Sequence, residues 1–297
     1  MLKRMAGWLR ERLELPEVRG IDHDAPELIE IHRRVIARKP FLKALYREHY
    51  RELARFLEGV PDGPVVELGS GGGFVKEMLP AVMTTDIHPF PHLDRVLDAE
   101  RLDFADASLA ALLMLNVFHH LPDPRRFLRD ASRVLKPGGR LIMIEPAHTA
   151  LWKHLYRLFS PEPYDAAADW GFSPLGRFQG ANVPQAWVVF QRDRARFEAE
   201  FPELSIRALR NHTVFLYLLS GGIWYRGIVP SWSFPLFLRF ERLLTPALGR
   251  LASQTTVVLE KGAAAAAGQA LPATARSELP KGTGSPPKIL CSALDNR

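Results

Sequence analysis

Apolar positions along the chain follow two regimes. Up to residue 60 they recur every three or four residues: Leu2, Met5, Trp8, Leu9 and Leu13, then Leu28, Ile31 and Val35, then Leu42, Leu45, Tyr46, Leu53, Phe56 and Leu57. That period predicts amphipathic helices, and Gly59, Pro61 and Gly63 stop the last of them. From Pro64 short apolar runs alternate with helical stretches. Strands are expected at 64–68 (PVVEL), 81–86 (AVMTTD), 95–98 (RVLD), 110–116 (AALLMLN) and 140–145 (RLIMIE), then in LSIRAL and in TTVVLE at 255–260. Such alternation marks an α/β fold with a mainly parallel sheet covered on both faces. PDPRRFLRDASRVLKPGG predicts a helix opened by Asp123 and Pro124 and closed by Pro137, Gly138 and Gly139. ALWKHLYRLF and PQAWVVFQRDRARFEAEF predict two more.

The organisation expected is a helical N-terminal cap over 1–60, an α/β domain over 61–261, and a tail over 262–297. The tail is rich in Ala, Gly and Pro without periodicity and is expected to be disordered. An apolar insertion, 212–252, precedes the last strand. In it Leu236, Phe237, Phe240, Leu243, Leu244, Ala247, Leu248 and Leu251 follow helical spacing, with Arg239, Arg242 and Arg250 on the other side. This describes either a core-facing helix or one lying on a membrane or lining an apolar tunnel.

Composition narrows the class. With 47% hydrophobic and 24% charged residues among 297, the chain is globular rather than disordered. A net charge of +6 would suit an anionic partner, yet acidic and basic residues are interspersed, so a diffusely basic surface also accounts for it. The single cysteine, Cys291, excludes a disulfide framework and a cysteine zinc cluster. No signal-peptide core stands at the start and no apolar run reaches the roughly 20 residues of a spanning helix, so a cytoplasmic location is expected. Scattered His, Asp and Glu suggest no metal.

Candidate chemistry begins at VVELGSGGGF (65–74). Glycines after a strand let backbone approach a ligand, but a phosphate loop would need Gly-Lys followed by Ser or Thr, and Phe74, Val75 and Lys76 follow here. The G-x-G-x-G spacing also differs from the dinucleotide pattern. Glu67, two residues before the first glycine, would repel a pyrophosphate and attract an ammonium or sulfonium group. Asp86 at the second strand's end can accept bonds from ribose hydroxyls, Asp98 at the third from an adenine amino group, and Asn116 ends the fourth.

Together VVELGSGGG, the acid of TTDIH, DAERLDFADASLAAL and LNVFHHLPDPRRFLRDASRVLKPGGRLIMIEP resemble the class I S-adenosylmethionine-dependent methyltransferases, in particular the type-11 small-molecule subgroup similar to the quinone-biosynthesis enzymes. The resemblance covers about Pro64 to Pro146. It implies a Rossmann-like, doubly wound sheet of seven strands whose antiparallel last strand TTVVLE could supply, with S-adenosylmethionine as cofactor. It assigns Glu67, Gly69, Ser70, Gly71 and Gly73 to the methionine portion, Asp86 to the ribose, Asp98 and Ala99 to the adenine, and Asn116 to the edge of the methionine portion, with Ile87 next to Asp86 also expected at the cofactor. The short FVKEML helix closed by Pro80 departs from the pattern.

A base is needed only if the acceptor must lose a proton. His119 and His120 could serve, or could pack beneath the cofactor or cap a turn. Glu145 and His148 at the same sheet edge pose the same choice. The acceptor expected is a small or lipid-linked molecule met at the inner membrane face, with no nucleic acid. The alternatives are a nucleic-acid methyltransferase, for which no recognition module is visible, and a non-catalytic S-adenosylmethionine-binding protein.

Overall fold

The computed structural model describes residues 2–21, 25, 27–172 and 180–262. From residue 263 on, the expected tail and Cys291 lie outside the described residues.

Three helices open the chain: α1 (Leu2–Leu13), α2 (Glu27–Arg38) and α3 (Pro40–Arg55). The sheet strands are β1 (Val65–Leu68), β2 (Met83–Asp86), β3 (Arg95–Val96), β4 (Leu109–Leu115), β5 (Leu135–Pro146), β6 (Leu204–His212) and β7 (Gln254–Lys261). Their order is β3-β2-β1-β4-β5-β7-β6. The first five are mutually parallel, and β7 runs antiparallel between β5 and β6, so the sheet has the expected seven strands. It is β6 that takes the edge. Parallel pairing puts the carboxyl ends of β1, β2 and β4 along one rim, where ligands of open α/β sheets bind.

Apolar side chains fill both sheet faces. Leu112, Met114, Leu141 and Met143 pack under α4 (Pro124–Val134), while Ala111, Leu113, Ile142 and Ile144 pack toward α3 through Tyr50 and Leu53. Helix α4 starts where expected: Asp123 accepts from the Arg126 amide at 3.0 Å and Pro124 takes the first helical position. It ends at Val134, and Pro137, Gly138 and Gly139 lie inside β5, correcting their assignment as its stop. The strand begins at once because the bulge opposite Leu109 and Ala111 absorbs the glycines. FVKEML forms only a 3₁₀ turn, 75–77, and the helix expected from 184 is broken into α6 (Gln185–Trp187), a π turn over 188–192 and α7 (Arg194–Glu200).

The N-terminal cap and the 212–252 insertion share one core. Leu28, Val35, Phe41 and Leu45 pack with Leu216 and Phe234, and the Phe41 and Phe234 rings meet edge to face at 5.0 Å. The Arg226 amide donates to Leu13 and Lys39 Nζ donates to the Gly222 and Tyr225 carbonyls, each at 2.6 Å. Within the insertion, α9 (Phe234–Leu248) follows α8 (Leu216–Ser220), and most of its apolar stripe does not face the core, although Phe237 packs against it. Leu236, Phe240, Leu243 and Leu244 are exposed, as is Trp232 ahead of them. Helix α9 is held from its other side by Phe234 and by Glu241, whose buried carboxylate accepts from the Val214, Phe215 and Leu216 amides. The core-facing reading is thus corrected for Leu236, Phe240, Leu243 and Leu244: the helix packs inward by Phe234, Phe237 and Leu238 and is caught by Glu241.

Candidate active site

Beyond Leu68 the chain turns at Gly69, whose φ of +66° disfavours a side chain; a Cβ there would also stand 2.6 Å from Val117. A Cβ on Gly71 would meet Ile29 of α2 at 3.0 Å. Glycine here therefore admits the cap as well as a ligand. The Ser70 amide donates to the Thr85 carbonyl at 2.8 Å, tying the loop to β2. Asp86 accepts from the Gly71 amide at 3.1 Å and the His88 amide at 3.0 Å, so the loop and the carboxylate position each other.

Glu67 is 2% exposed. Burial raises its carboxyl to about 7; hydrogen bonding from Ser70 and Tyr50 opposes the rise and the charge on Asp86 adds to it. Its Oε2, and the buried Oδ1 of Asn116, have no hydrogen-bond partner among the described residues. Asn116 itself lies one residue past β4 with φ of +56° and its amide donates to Ile144 at 2.8 Å. Strand β3 stops at Val96, so Asp98 sits beyond it on an exposed turn, accepting from the Glu100 amide at 2.8 Å.

All the residues expected to hold a cofactor, with His119 and His120, line one cavity of about 980 Å³. Its other wall comes from segments outside the strands, where acceptor choice was expected: His32, Tyr46 and Tyr50 from the cap, Tyr156 and Glu162 from around α5 (Trp152–Phe159), and Tyr217 and Trp224 from the insertion. Tyr46 and Tyr50 stand four residues apart on α3, a spacing that already placed them on adjacent turns.

The structure separates the two histidines. Glu145, fully buried, accepts from the Val117 amide at 2.8 Å, the Phe118 amide at 2.7 Å, the His119 amide at 3.4 Å and His119 Nδ1 at 2.6 Å. His119 Nε2 lies 3.5 Å from Glu162. Burial disfavours its imidazolium, but Glu145 and Glu162 outweigh that and hold His119 protonated at neutral pH. With each ring nitrogen facing a carboxylate, His119 sits in an ion-pair cluster at the cavity wall. Burial, with the charge of His119 adding to it, keeps His120 neutral. Glu145 anchors the loop after β4 rather than lining the cavity. His148 is away from it too, stacked on Trp187 at 4.0 Å and bonded to the Tyr164 hydroxyl at 2.6 Å, so neither is a candidate base.

Residues 66–143, the segment carrying the loop, Asp86 and Asn116, match the family model described as a methyltransferase domain. The chain is 33% identical over 136 residues to a demethylmenaquinone methyltransferase of Tropheryma whipplei, covering 40% of this chain and 57% of that one. It is 31% identical over 190 residues to the chloroplastic 2-methyl-6-phytyl-1,4-hydroquinone methyltransferase of Arabidopsis thaliana, covering 57% and 45% respectively. This chain therefore spans about half the length of these relatives. Among solved structures, geranyl diphosphate C-methyltransferase of Streptomyces coelicolor is 16% identical with a TM-score of 0.46, covering 84% of this chain and 89% of that one.

Proposed function

We propose that the chain is an S-adenosylmethionine-dependent methyltransferase acting on a small, apolar or lipid-linked acceptor. The observation that carries this is the buried Glu67 carboxylate with an unpartnered oxygen beside a glycine loop, in a cavity that continues into an aromatic chamber. Glu67 and Asn116 present unsatisfied acceptors suited to the ammonium and sulfonium of the methionine portion, Asp86 suits ribose hydroxyls, and exposed Ile87 offers an apolar face to the adenine. When bound, the cofactor supplies an electrophilic methyl group. The protein's part is alignment, worth on the order of 7–11 kcal/mol in favourable cases, with Tyr46, Tyr156, Tyr217 and Trp224 confining the acceptor. Calorimetry with S-adenosylmethionine tests the reading directly. Asp86→Ala is expected to weaken binding by about 1.5–3 kcal/mol, the worth of a hydrogen bond to a charged group. Unchanged affinity would remove Asp86 from the site.

The lipid-linked acceptor draws on the surface. Trp232, Leu236, Phe240 and Leu243 form an exposed stripe, with Trp232 and Leu243 at 79% and 73%, and exposed Arg239 and Arg250 complement anionic headgroups. Leu218 and Ile228 are exposed and also line the cavity, so its mouth opens beside apolar surface. The relative named for a phytyl-hydroquinone agrees with an apolar acceptor. Among the described residues no helix is long and apolar enough to cross a membrane, so contact would be peripheral. Sedimentation with anionic vesicles should retain the protein, and Phe240→Glu with Leu243→Glu should weaken retention at least tenfold, since each buried apolar side chain is worth about 1.5–3 kcal/mol. Equal retention of wild type and variant would remove this face from the interface.

A further inference from the structure

His119, His120 and Glu162 bring two imidazoles and a carboxylate together at the cavity wall, with one ligating atom from each within 4.8 Å of the others. His119 Nε2 is 3.5 Å from one Glu162 oxygen and His120 Nε2 is 3.8 Å from the other. Donors at about 2.1 Å from a common tetrahedral centre stand about 3.4 Å apart, so closure means a few tenths of an ångström for the contacts at 3.5 and 3.8 Å and up to about 1.4 Å for donor pairs within the 4.8 Å bound. The arrangement is braced from behind. Glu145 accepts a hydrogen bond from His119 Nδ1 at 2.6 Å and so directs Nε2 toward Glu162, the carboxylate backing that orients a metal-binding imidazole. The segments are tied together as well: the Asn182 amide donates to the His119 carbonyl at 2.9 Å and the Val183 amide to Pro163 at 3.1 Å.

We propose that His119, His120 and Glu162 bind a first-row divalent transition-metal ion, and that this ion holds a hydroxyl or phenol oxygen of the acceptor. Two imidazoles and one carboxylate favour ions such as Zn²⁺, Co²⁺ or Fe²⁺ over Mg²⁺ and Ca²⁺, which prefer oxygen donors. Three protein ligands would leave a coordination position for a further ligand, the pattern of a catalytic rather than a structural centre. The ion takes the place of the proton between His119 and Glu162. This site stands independently of the methyltransferase reading, while its role in the reaction rests on that reading. In that role the coordinated hydroxyl, made more acidic by the ion, releases its proton to water. The oxygen's electron pair then forms the bond to the methyl carbon as the carbon–sulfur bond breaks and its pair returns to sulfur. The acceptor is thereby narrowed to a hydroxyl-bearing molecule methylated on oxygen.

The test uses the full chain, stripped of metal and titrated with Co²⁺, read by visible absorption. One equivalent should give the intense bands of a low-coordinate cobalt centre, bleached by Zn²⁺. His120→Ala and the near-isosteric Glu162→Gln should each weaken cobalt affinity at least tenfold, with thermal unfolding confirming that both variants are folded. Absence of a saturable band, or a band unchanged in Glu162→Gln, overturns the proposal. Calorimetry with S-adenosylmethionine on the same samples keeps the two readings apart. Cofactor binding without a cobalt band defeats the metal site alone, whereas a cobalt band without cofactor binding supports the site and defeats the methyltransferase reading.

Discussion

Glu67→Gln is expected to weaken S-adenosylmethionine binding by about 2–5 kcal/mol, the usual loss when one partner of a buried charge pair is removed. The same change should stabilise the ligand-free protein at alkaline pH. Burial moves the Glu67 carboxyl from 4.5 to about 7, so between those values the folded chain binds a proton that the unfolded chain has lost. Ligand-free stability from this group therefore falls as pH rises through that window, and above it the buried carboxylate costs on the order of 3 kcal/mol. Glutamine carries no such cost. Thermal midpoints of wild type and variant should then converge toward pH 4.5 and separate above pH 7, with the variant higher. Cofactor affinity of the wild type should decline below pH 7, because the protonated acid no longer attracts a cation, and stay flat in Glu67→Gln. A variant that keeps wild-type affinity at pH 8 would end the assignment of Glu67 to the cofactor.

The largest loss of stability is expected from Glu145→Ala. Its carboxylate is fully buried and accepts from three backbone amides and the His119 ring. Deleting it leaves those donors unpaired and the His119 charge uncompensated on one side, a defect worth about 3–5 kcal/mol. For a domain of this size that lowers the unfolding midpoint by roughly 6–20 °C. Glu145→Gln retains an acceptor oxygen for the Val117 and Phe118 amides and should lose less. Scanning calorimetry of both variants decides the point. A Glu145→Ala midpoint within a degree or two of wild type would show that the loop after β4 is held by something else.

These two acids were not equally legible. Glu67 is marked in the chain itself, since it stands at a strand end two residues before a glycine turn. Glu145 also stands at a strand end, but its place among the amides of 117–119 depends on β5 lying beside β4 in register, Met114 against Met143 and Leu115 against Ile144. That register belongs to the sheet and not to the local sequence. Glu162 is further removed still, because it reaches His119 and His120 only after the chain has passed through α5 and folded back. Scattered His and Glu therefore suggested no metal, while the fold gathers three of them.

What the sequence by itself determined is the succession of elements and the polar residues at their ends. A repeat of two or of about 3.6 is a property of neighbouring residues, and parallel strands of one sheet must place their carboxyl ends on one rim. Glu67, Asp86 and Asn116 follow from that alone. The tertiary structure decided which face each element buries. In α9 most of the apolar stripe read as core or membrane turned outward, because Phe234, Phe237 and Leu238 pack inward beside Glu241, which is caught by the amides of 214–216. Periodicity shows that a helix has two faces, and only the partners brought from elsewhere in the chain select the one that is covered.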